Sequence, residues 1–257
     1  MNLKPSAHVD TFSRDRLPPM AQWPEMNVHF HNYPDRLNAA VELTDKMVER
    51  GFGDHTALIG NGRRRTYKEL TDWSNRVAHV LVDDYGVKPG NRVLIRAANN
   101  PALVACWLGA TKAGAVVVNT MPMLRSTELH AIIDKAQVDL ALCDSRLLDE
   151  LEACLPDSQY LKRIVPFDGT ANFDAELDRS ALNKPVKFDA VATSCVWCCC
   201  YQLCLMLLLS AVFGGVVTSV SLMLLLPAVF DGAATSFCGA ATGCVWWCCY
   251  YLIFGRG

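Results

Sequence analysis

Apolar residues between positions 56 and 167 recur with two periods, one typical of buried strands and one typical of amphipathic helices. Two short runs, Val93 to Ile95 and residues 115–119, predict buried strands. Between them, apolar side chains at helical spacing predict a helix with one buried face; these are Leu103, Val104, Trp107 and Ala110. The pattern therefore predicts a strand–helix–strand unit whose strands share one parallel sheet through a right-handed crossover.

The boundaries of this helix follow from the residues at its ends. Asn100 is a favourable N-cap, and Pro101 fits the first turn because its missing N–H would have no helical partner. Gly114 predicts the end of the helix because glycine reaches the left-handed conformation of the C′ position at least cost.

The same reasoning extends along the chain. Asn61-Gly62 predicts a two-residue hairpin turn. Thr66 and Glu69 have the spacing of a capping box, which begins a helix that ends near Tyr85. The other predicted elements are a helix from Asn38 to about Arg50, a hairpin from Ala57 to Tyr67, helices capped by Ser126 and Ser145, and strands at 138–143 and 161–167. Strands that alternate with helices predict an α/β fold with a mostly parallel sheet and flanking helices.

The distribution of charge and cysteine divides the chain at residue 193. The 257 residues include 24 basic and 26 acidic side chains, but only Asp231 and Arg256 lie beyond that point, together with nine of the 12 cysteines. A net charge of −2 does not indicate a nucleic-acid partner. We therefore expect a polar, proline-rich N-terminal arm (1–37), an α/β part (38–192) and an apolar, cysteine-rich tail (193–257).

Several motifs, in this order along the chain, resemble those of the AMP-forming adenylating enzymes, the superfamily that includes acyl-CoA and aryl-CoA ligases. The central motif is Lys112-Ala113-Gly114-Ala115, followed by an apolar strand and Met121-Pro122. It is flanked by Arg65 to Leu70, Gly86 to Val93 and Arg125 to Leu129. The resemblance implies that residues 38–192 are a truncated N-terminal part of an AMP-binding domain.

The head of the chain resembles one branch of that superfamily, the benzoate and 2-aminobenzoate CoA ligases. The matching segments are Pro5 to Phe12, Leu17 to Pro19 and Gln22 to Pro24. These cytoplasmic enzymes use ATP, Mg²⁺ and CoA. A carboxylate attacks the α-phosphate to give an acyl-adenylate and pyrophosphate, and the CoA thiol then displaces AMP. The resemblance therefore implies a small aromatic carboxylate as substrate.

No catalytic, cofactor-binding or metal-binding residue can be assigned from these motifs. The chemistry needs a Gly/Ser/Thr-rich loop whose N–H groups hold phosphate oxygens beside a lysine. The family loop, close to Thr-Ser-Gly-Thr-Thr-Gly-x-Pro-Lys, is expected soon after residue 192, but the sequence there differs and no lysine follows Lys187. His29 and His31 are expected to be solvated loop residues, since no third ligand lies nearby. We therefore expect this chain to be inactive alone.

The tail admits three interpretations. Residues 201–230 are long and apolar enough to span a bilayer, which would associate the chain with a membrane. Cys195 and Cys198 with Cys244 and Cys248 have the spacing of zinc ligands, but their apolar neighbours disfavour thiolates. We prefer the third interpretation, in which a frameshift, a chimeric join or an erroneous translation produced residues 193–257. The long uncharged run also predicts self-association.

Three hypotheses of function follow. The first is an N-terminal fragment of an ATP-dependent aryl-CoA ligase. The alternative is a membrane-anchored α/β binding or scaffold protein, and the third is a cysteine-rich metal-binding module joined to the α/β part. A lysine-bearing Gly/Thr loop encoded in another reading frame of the gene would favour the first hypothesis. Insertion of residues 201–230 into a membrane would favour the second, and binding of stoichiometric zinc would favour the third.

Overall fold

A computed structural model describes residues 6–22, 37–60 and 62–167. The strands are β1 Thr56–Gly60, β2 Arg63–Thr66, β3 Arg92–Arg96, β4 Val116–Thr120, β5 Leu140–Asp144 and β6 Arg163–Phe167. The α-helices are α1 Phe12–Asp15, α2 Ala39–Leu43, α3 Asp45–Met47, α4 Tyr67–His79, α5 Pro101–Lys112, α6 Ser126–Ala136 and α7 Leu148–Glu152. Short 3₁₀ turns at Met20–Gln22 and Ser145–Leu147, and π-helical turns at Val48–Phe52 and Val80–Asp84, complete these elements.

Four strands form one parallel sheet in the order β4-β3-β5-β6. Leu94 lies beside Val118 of β4 on one side and Ala141 of β5 on the other, so β3 is an interior strand. All five residues of β3 are buried, and so are all five of β5. The α/β prediction with a parallel sheet is therefore confirmed for the described residues.

Strand β4 lies at the edge of this sheet, and this position changes its burial. Val117 and Thr120 are buried, whereas Val116, Val118 and Asn119 are half-buried. The expectation that residues 115–119 form a fully buried strand is therefore only partly correct. The pattern of apolar residues identified the strand, but its burial depends on which neighbours the sheet order gives it.

Helices cover both faces of the sheet. On one face, α4 and α5 pack over Val93, Ile95 and Val117 and form the larger hydrophobic core. Trp107 of α5 is 2% exposed within this core, as its helical spacing predicts. On the other face, α6 and α7 pack over Leu94 and form a second core. Each strand of the sheet therefore contributes side chains to two packed layers.

The predicted hairpin forms a separate two-stranded antiparallel sheet. Gly60 pairs with Arg63, and Gly62 has a positive φ of 72°, as expected of a glycine in a tight hairpin turn. Gly60 also lies against the start of α5, because a Cβ at this position would be 2.6 Å from Cγ of Pro101. The hairpin is thus packed onto the strand–helix–strand unit at its first helical turn.

The predicted helix starts are confirmed at three positions, Asn38, Thr66 and Asn100, and wrong at two others. Asn100 Oδ1 accepts the N–H of Leu103 at 2.8 Å, and Thr66 and Glu69 form a reciprocal capping box. Ser126 is the first helical residue rather than the cap, because Arg125 precedes the helix and donates its N–H to Glu128 Oε2 at 2.7 Å. Asp144, not Ser145, caps the turn before α7.

The predicted continuous helix from Asn38 to Arg50 is interrupted. Asn38 accepts the N–H groups of Ala40 and Val41, as expected of an N-cap. Thr44 then leaves the helical region at φ −127°, and its hydroxyl donates to the carbonyl of Ala40 at 2.6 Å. A side chain that bonds the preceding turn in this way competes with the regular helix. Gly51, with φ 91°, leaves the helical conformation directly after Arg50, where the helix was predicted to end.

Several sequence predictions lie outside the described residues. They concern His29 and His31 and the tail from 193 to 257, including the segment 201–230. Within residues 6–22, 37–60 and 62–167, no helix has both the length and the apolar composition needed to cross a bilayer.

Candidate functional site

The carboxyl edge of the parallel sheet is the candidate functional site, because open α/β sheets bind ligands beyond the carboxyl ends of their strands. Strands β3, β4 and β5 end at Arg96, Thr120 and Asp144. The segments 97–100, 121–125 and 145–147 follow these ends and therefore lie along one edge. Two of the three strand ends carry a buried charged side chain.

Arg96 is 1% exposed and fixes two of these segments. Its Nη1 donates to the carbonyl of Met121 at 3.0 Å, and its Nη2 to those of Pro122 at 3.0 Å and Leu124 at 2.9 Å. Its Nε donates to the carbonyl of Leu147 at 3.2 Å. Because carbonyl dipoles satisfy the buried guanidinium, the arginine stabilises the loops after β4 and β5 in one arrangement. The sequence pattern did not predict this role, since its only signal is a charged residue directly after the apolar run Val93 to Ile95.

Asp144 has a fully buried side chain and links the ends of β5 and α5. Its carboxylate accepts Arg146 Nη2 at 2.6 Å and Nε at 2.9 Å, and Asn100 Nδ2 at 3.4 Å. The Arg146 hydrogen bonds lower the pKa of Asp144 and outweigh burial, which raises it. The carboxylate is therefore ionised at neutral pH and occupied by these donors.

The cysteines of the described region, Cys106, Cys143 and Cys154, are buried, and none of them forms a disulfide there. Burial raises the pKa of Cys143 to about 12, and it also raises the pKa of Cys154. Since the thiolate is the nucleophile and the metal ligand, neither thiol is activated for such chemistry at neutral pH. Among the described residues, His, Cys, Asp and Glu side chains form no group of three that could hold a metal ion.

The groups at this edge do not by themselves fit a nucleotide triphosphate with Mg²⁺. The Arg96 guanidinium donates to backbone carbonyls, and Arg146 is paired with Asp144. A triphosphate requires convergent N–H donors and a free cation, while Mg²⁺ requires carboxylate oxygens that face the phosphates. Within the described residues, these segments therefore form a hydrogen-bonded frame beyond the strand ends.

Lys112, the lysine of the Lys-Ala-Gly motif, lies at the opposite end of the sheet from this edge. It ends α5, whose direction is antiparallel to the strands, and it is 3% exposed. Its Nζ lies 2.7 Å from Asp45 Oδ2 and 2.7 Å from Asn75 Oδ1. Burial lowers its pKa, against the opposing charge of Asp45. The motif lysine thus joins α5 to α3 and α4 and has a structural role.

Known proteins share part of this sequence and of this fold. A sequence model of the family described as AMP-binding enzyme matches residues 46–199. The matched region contains all six described strands, the whole of the second core and every buried residue of the larger core except Ala40. It includes Lys112-Ala113-Gly114 and the Arg96-held loop 121–124.

Curated relatives match over about half of this chain. A medium/long-chain-fatty-acid–CoA/3-oxocholest-4-en-26-oate–CoA ligase of Mycolicibacterium smegmatis is 31% identical over 140 residues, which are 54% of this chain and 25% of the relative. A 3-hydroxybenzoate–CoA/4-hydroxybenzoate–CoA ligase of Thauera aromatica is 33% identical over 112 residues, 44% of this chain and 21% of the relative. The matched part of the chain thus spans about a quarter of the length of these relatives.

Solved structures share the fold. An anthranilate CoA ligase in complex with anthranoyl-AMP aligns with a TM-score of 0.56 at 21% identity, covering 65% of this chain and 31% of that one. A benzoate CoA ligase from Burkholderia xenovorans aligns with a TM-score of 0.53 at 24% identity, covering 61% and 30%. At this identity the likeness shows a common fold.

Proposed function

Because the chain belongs to the AMP-binding enzyme family, we propose that it is the N-terminal part of an AMP-forming aryl-CoA ligase of the benzoate or 2-aminobenzoate type. The complete enzyme converts an aromatic acid, ATP and CoA into an acyl-CoA, AMP and pyrophosphate. The observation that carries this proposal is the family match over residues 46–199, which contains the whole parallel sheet.

The aromatic substrate class is supported by the head of the chain and by two groups of relatives. The Thauera aromatica ligase acts on hydroxybenzoates, and the two structural neighbours are named for anthranilate and benzoate. The Mycolicibacterium smegmatis relative, at similar identity, is named for fatty and steroid acids. A medium-chain fatty acid is therefore the competing substrate in any test.

The chain alone is proposed to be inactive. The charged groups at the carboxyl edge are committed to internal contacts, as Arg96 and Asp144 demonstrate. The family loop that would hold the phosphates of ATP does not occur in the sequence. ATP, Mg²⁺ and CoA are cofactors of the complete enzyme, and productive binding by this chain is not expected.

Pyrophosphate release tests the activity of the chain. Purified protein is incubated with Mg-ATP and benzoate, 2-aminobenzoate or octanoate, and a full-length benzoate CoA ligase serves as the positive control. We expect release at the level of the acid-free blank for all three acids. Robust turnover by pure protein would contradict the proposal that the nucleotide site requires later sequence.

The nucleotide sequence of the gene tests the origin of residues 193–257, and an assay of the frame-corrected protein tests the substrate class of the complete enzyme. We expect a shifted reading frame past codon 192 to encode the lysine-bearing Gly/Thr loop, and the protein read in that frame to prefer benzoate or 2-aminobenzoate over octanoate. If no frame encodes the loop, the frameshift origin is wrong. If the frame-corrected protein prefers octanoate, the aryl assignment is wrong and the ligase assignment remains.

A further inference from the structure

Part of the N-terminal arm lies against the turn that precedes β3. We call residues 9–12 the arm segment and residues 89–92 the cradle. The N–H groups of Val9 and Asp10 both donate to the carbonyl of Pro89, at 3.0 and 3.1 Å. The side chain of Asn91 donates to Asp10 Oδ2 at 3.1 Å. The arm segment is thus held through its backbone and through one carboxylate.

Arg92 supplies the charged part of the cradle. Its Nη1 donates to the carboxylate of Asp10, and its side chain is 9% exposed. Three carbonyls of the domain also hold the guanidinium: Gly90 at 3.1 Å, Ala136 at 2.9 Å and Gln137 at 3.0 Å. These bonds do not involve the arm, so the cradle is preorganised before the arm segment binds.

The same guanidinium contacts an aromatic ring of the arm segment. Arg92 Cζ lies 4.7 Å from the centroid of the Phe12 ring, within the range of a cation–π contact. Asp10 and Phe12 are two residues apart and are joined by a bond from the Phe12 N–H to Asp10 Oδ1 at 3.0 Å. This local turn presents a carboxylate and a ring to one arginine.

Glycine at position 90 allows the close approach of the arm. Gly90 has a φ of 94°, and a Cβ built there would lie 2.1 Å from the carbonyl oxygen of Asp10. A side chain at this position would therefore overlap the backbone of the arm segment. The cradle therefore fits the backbone of the arm segment as well as its side chains.

The arm segment lies at the surface and contributes no side chain to either core. Within the described residues, neither hydrophobic core contains a residue before Ala40. Helix α1 has four residues and none of them is buried. Detachment of the arm segment would therefore leave both cores closed.

We propose that the cradle is a binding site for a short peptide segment with an aspartate and, two residues later, a phenylalanine, and that the arm segment is its exchangeable occupant. The aspartate pairs with Arg92 and Asn91, the ring stacks on Arg92, and two backbone N–H groups bond to Pro89. A second copy of this chain carries the same segment, and it is the partner whose arm fits the cradle.

A labelled peptide measures this binding in the full chain. The Asp10→Ala/Phe12→Ala double variant weakens its own arm and keeps every residue of the cradle. A fluorescein-labelled peptide of residues 6–16 is titrated with this variant and with the unsubstituted chain, both in a mild non-ionic detergent, and anisotropy is recorded. We expect saturable 1:1 binding to the double variant and at least about tenfold weaker apparent binding to the unsubstituted chain, whose own arm competes.

Matched peptides separate specific recognition from general adhesion. Peptides with Asp10→Asn or Phe12→Leu are titrated against the same double variant, so a folding defect in the protein cannot imitate the result. Each change is expected to weaken binding by about tenfold. Equal binding of the parent and Asp10→Asn peptides, or equal binding to both chains, would overturn the proposal, as would absence of saturable binding.

Hydrogen exchange gives a second readout that needs no added peptide. In the unsubstituted chain the amides of Val9 and Asp10 are bonded to Pro89, and slow exchange is expected. In a Gly90→Ala variant, whose far-ultraviolet circular dichroism confirms the fold, these two amides should exchange at least about tenfold faster while core amides of β3 keep their rates. Unchanged protection of Val9 and Asp10 in Gly90→Ala would contradict the proposed fit.

Discussion

Lys112 Nζ lies 2.7 Å from Asp45 Oδ2 in the interior of the domain, with side-chain exposures of 2% and 15%. The pair joins the end of α5 to α3, and Asn75 of α4 accepts a further hydrogen bond from the same ammonium group at 2.7 Å. One lysine therefore holds three helices on one side of the sheet. Its loss would leave a carboxylate and an amide without their shared donor.

The first prediction concerns this buried pair. Lys112→Met should lower the free energy of unfolding by about 3 kcal/mol, because it leaves Asp45 largely buried and unpaired. Urea denaturation of a shortened chain that ends at Ala190, followed by circular dichroism, measures the change. Lys46→Ala, which removes the exposed contact with Glu49, is the matched control and should have little effect. Equal effects of the two substitutions would contradict the structural role of Lys112.

The second prediction concerns pH. Burial raises the pKa of Asp10, but hydrogen bonds from Arg92 and the Phe12 N–H outweigh this effect, and the pKa lies below its usual range. A carboxyl group with a lower pKa in the folded state contributes stability above its unfolded pKa and loses it as the pH falls through the folded value. The urea midpoint of the shortened chain should therefore exceed that of its Asp10→Asn variant at about pH 7, and the difference should shrink as the pH falls below about 4, the unfolded pKa, and through the lower folded pKa.

The comparison with Asp10→Asn is needed because other carboxyl groups of the domain also have lowered pKa values, among them Asp144 and Glu69. Their protonation lowers the stability of both proteins alike. A difference between the two midpoints that is independent of pH would show that the Asp10 charge does not hold the arm.

The third prediction concerns a glycine inside α5. A Cβ at Gly109 would lie 2.4 Å from Cγ1 of Val77 and 2.9 Å from the carbonyl oxygen of Ser74, both in α4. Although Ala in a helix interior is ordinarily more favourable than Gly by about 1 kcal/mol, Gly109→Ala should destabilise the domain by about 1–3 kcal/mol through overpacking. Gly53→Ala is the control, since its Cβ would lie 3.5 Å from Val48 Cγ1 and the backbone is αR. A stabilising Gly109→Ala would show that the two helices separate at low cost.

The fourth prediction concerns solubility. Within the described residues, β4 pairs with β3 on one side only, and an exposed strand edge favours association. The sequence from residue 194 to 230 adds a long apolar run without a charged residue. We expect the full chain to be insoluble or dependent on detergent, and the chain that ends at Ala190 to be more soluble but marginally stable. Size-exclusion chromatography and thermal melting of both chains measure this.

A monodisperse full chain that melts cooperatively in detergent-free buffer would contradict this prediction. It would mean that residues 193–257 pack as a core of their own, and the frameshift origin would then be wrong.

The sequence by itself determined the features that depend on near neighbours. The cap formed by Asn100 and the capping box of Thr66 and Glu69 each involve residues three positions apart. Gly51, Gly62 and Gly114 have positive φ angles where turns or helix ends were expected. The order of motifs also identified the family, because each motif between Arg65 and Leu129 is a short segment that can be read directly from the sequence. The caps predicted at Ser126 and Ser145 are each one residue too late, because Arg125 and Asp144 occupy the N-cap positions. Either of two adjacent residues can serve the same helix end.

Only the tertiary structure decided which charged residues lie inside and which strand lies at the edge. Arg96 donates a hydrogen bond to the carbonyl of Leu147, which is 51 residues away in the sequence. Lys112 donates to Asn75 over a separation of 37 residues, and Arg92 donates to Asp10 over 82. None of these pairs follows from a local period, because burial and pairing depend on the order β4-β3-β5-β6 and on how helices cover it. The physical reason is that caps and turns are short-range, whereas desolvation of a charge depends on every segment that packs around it.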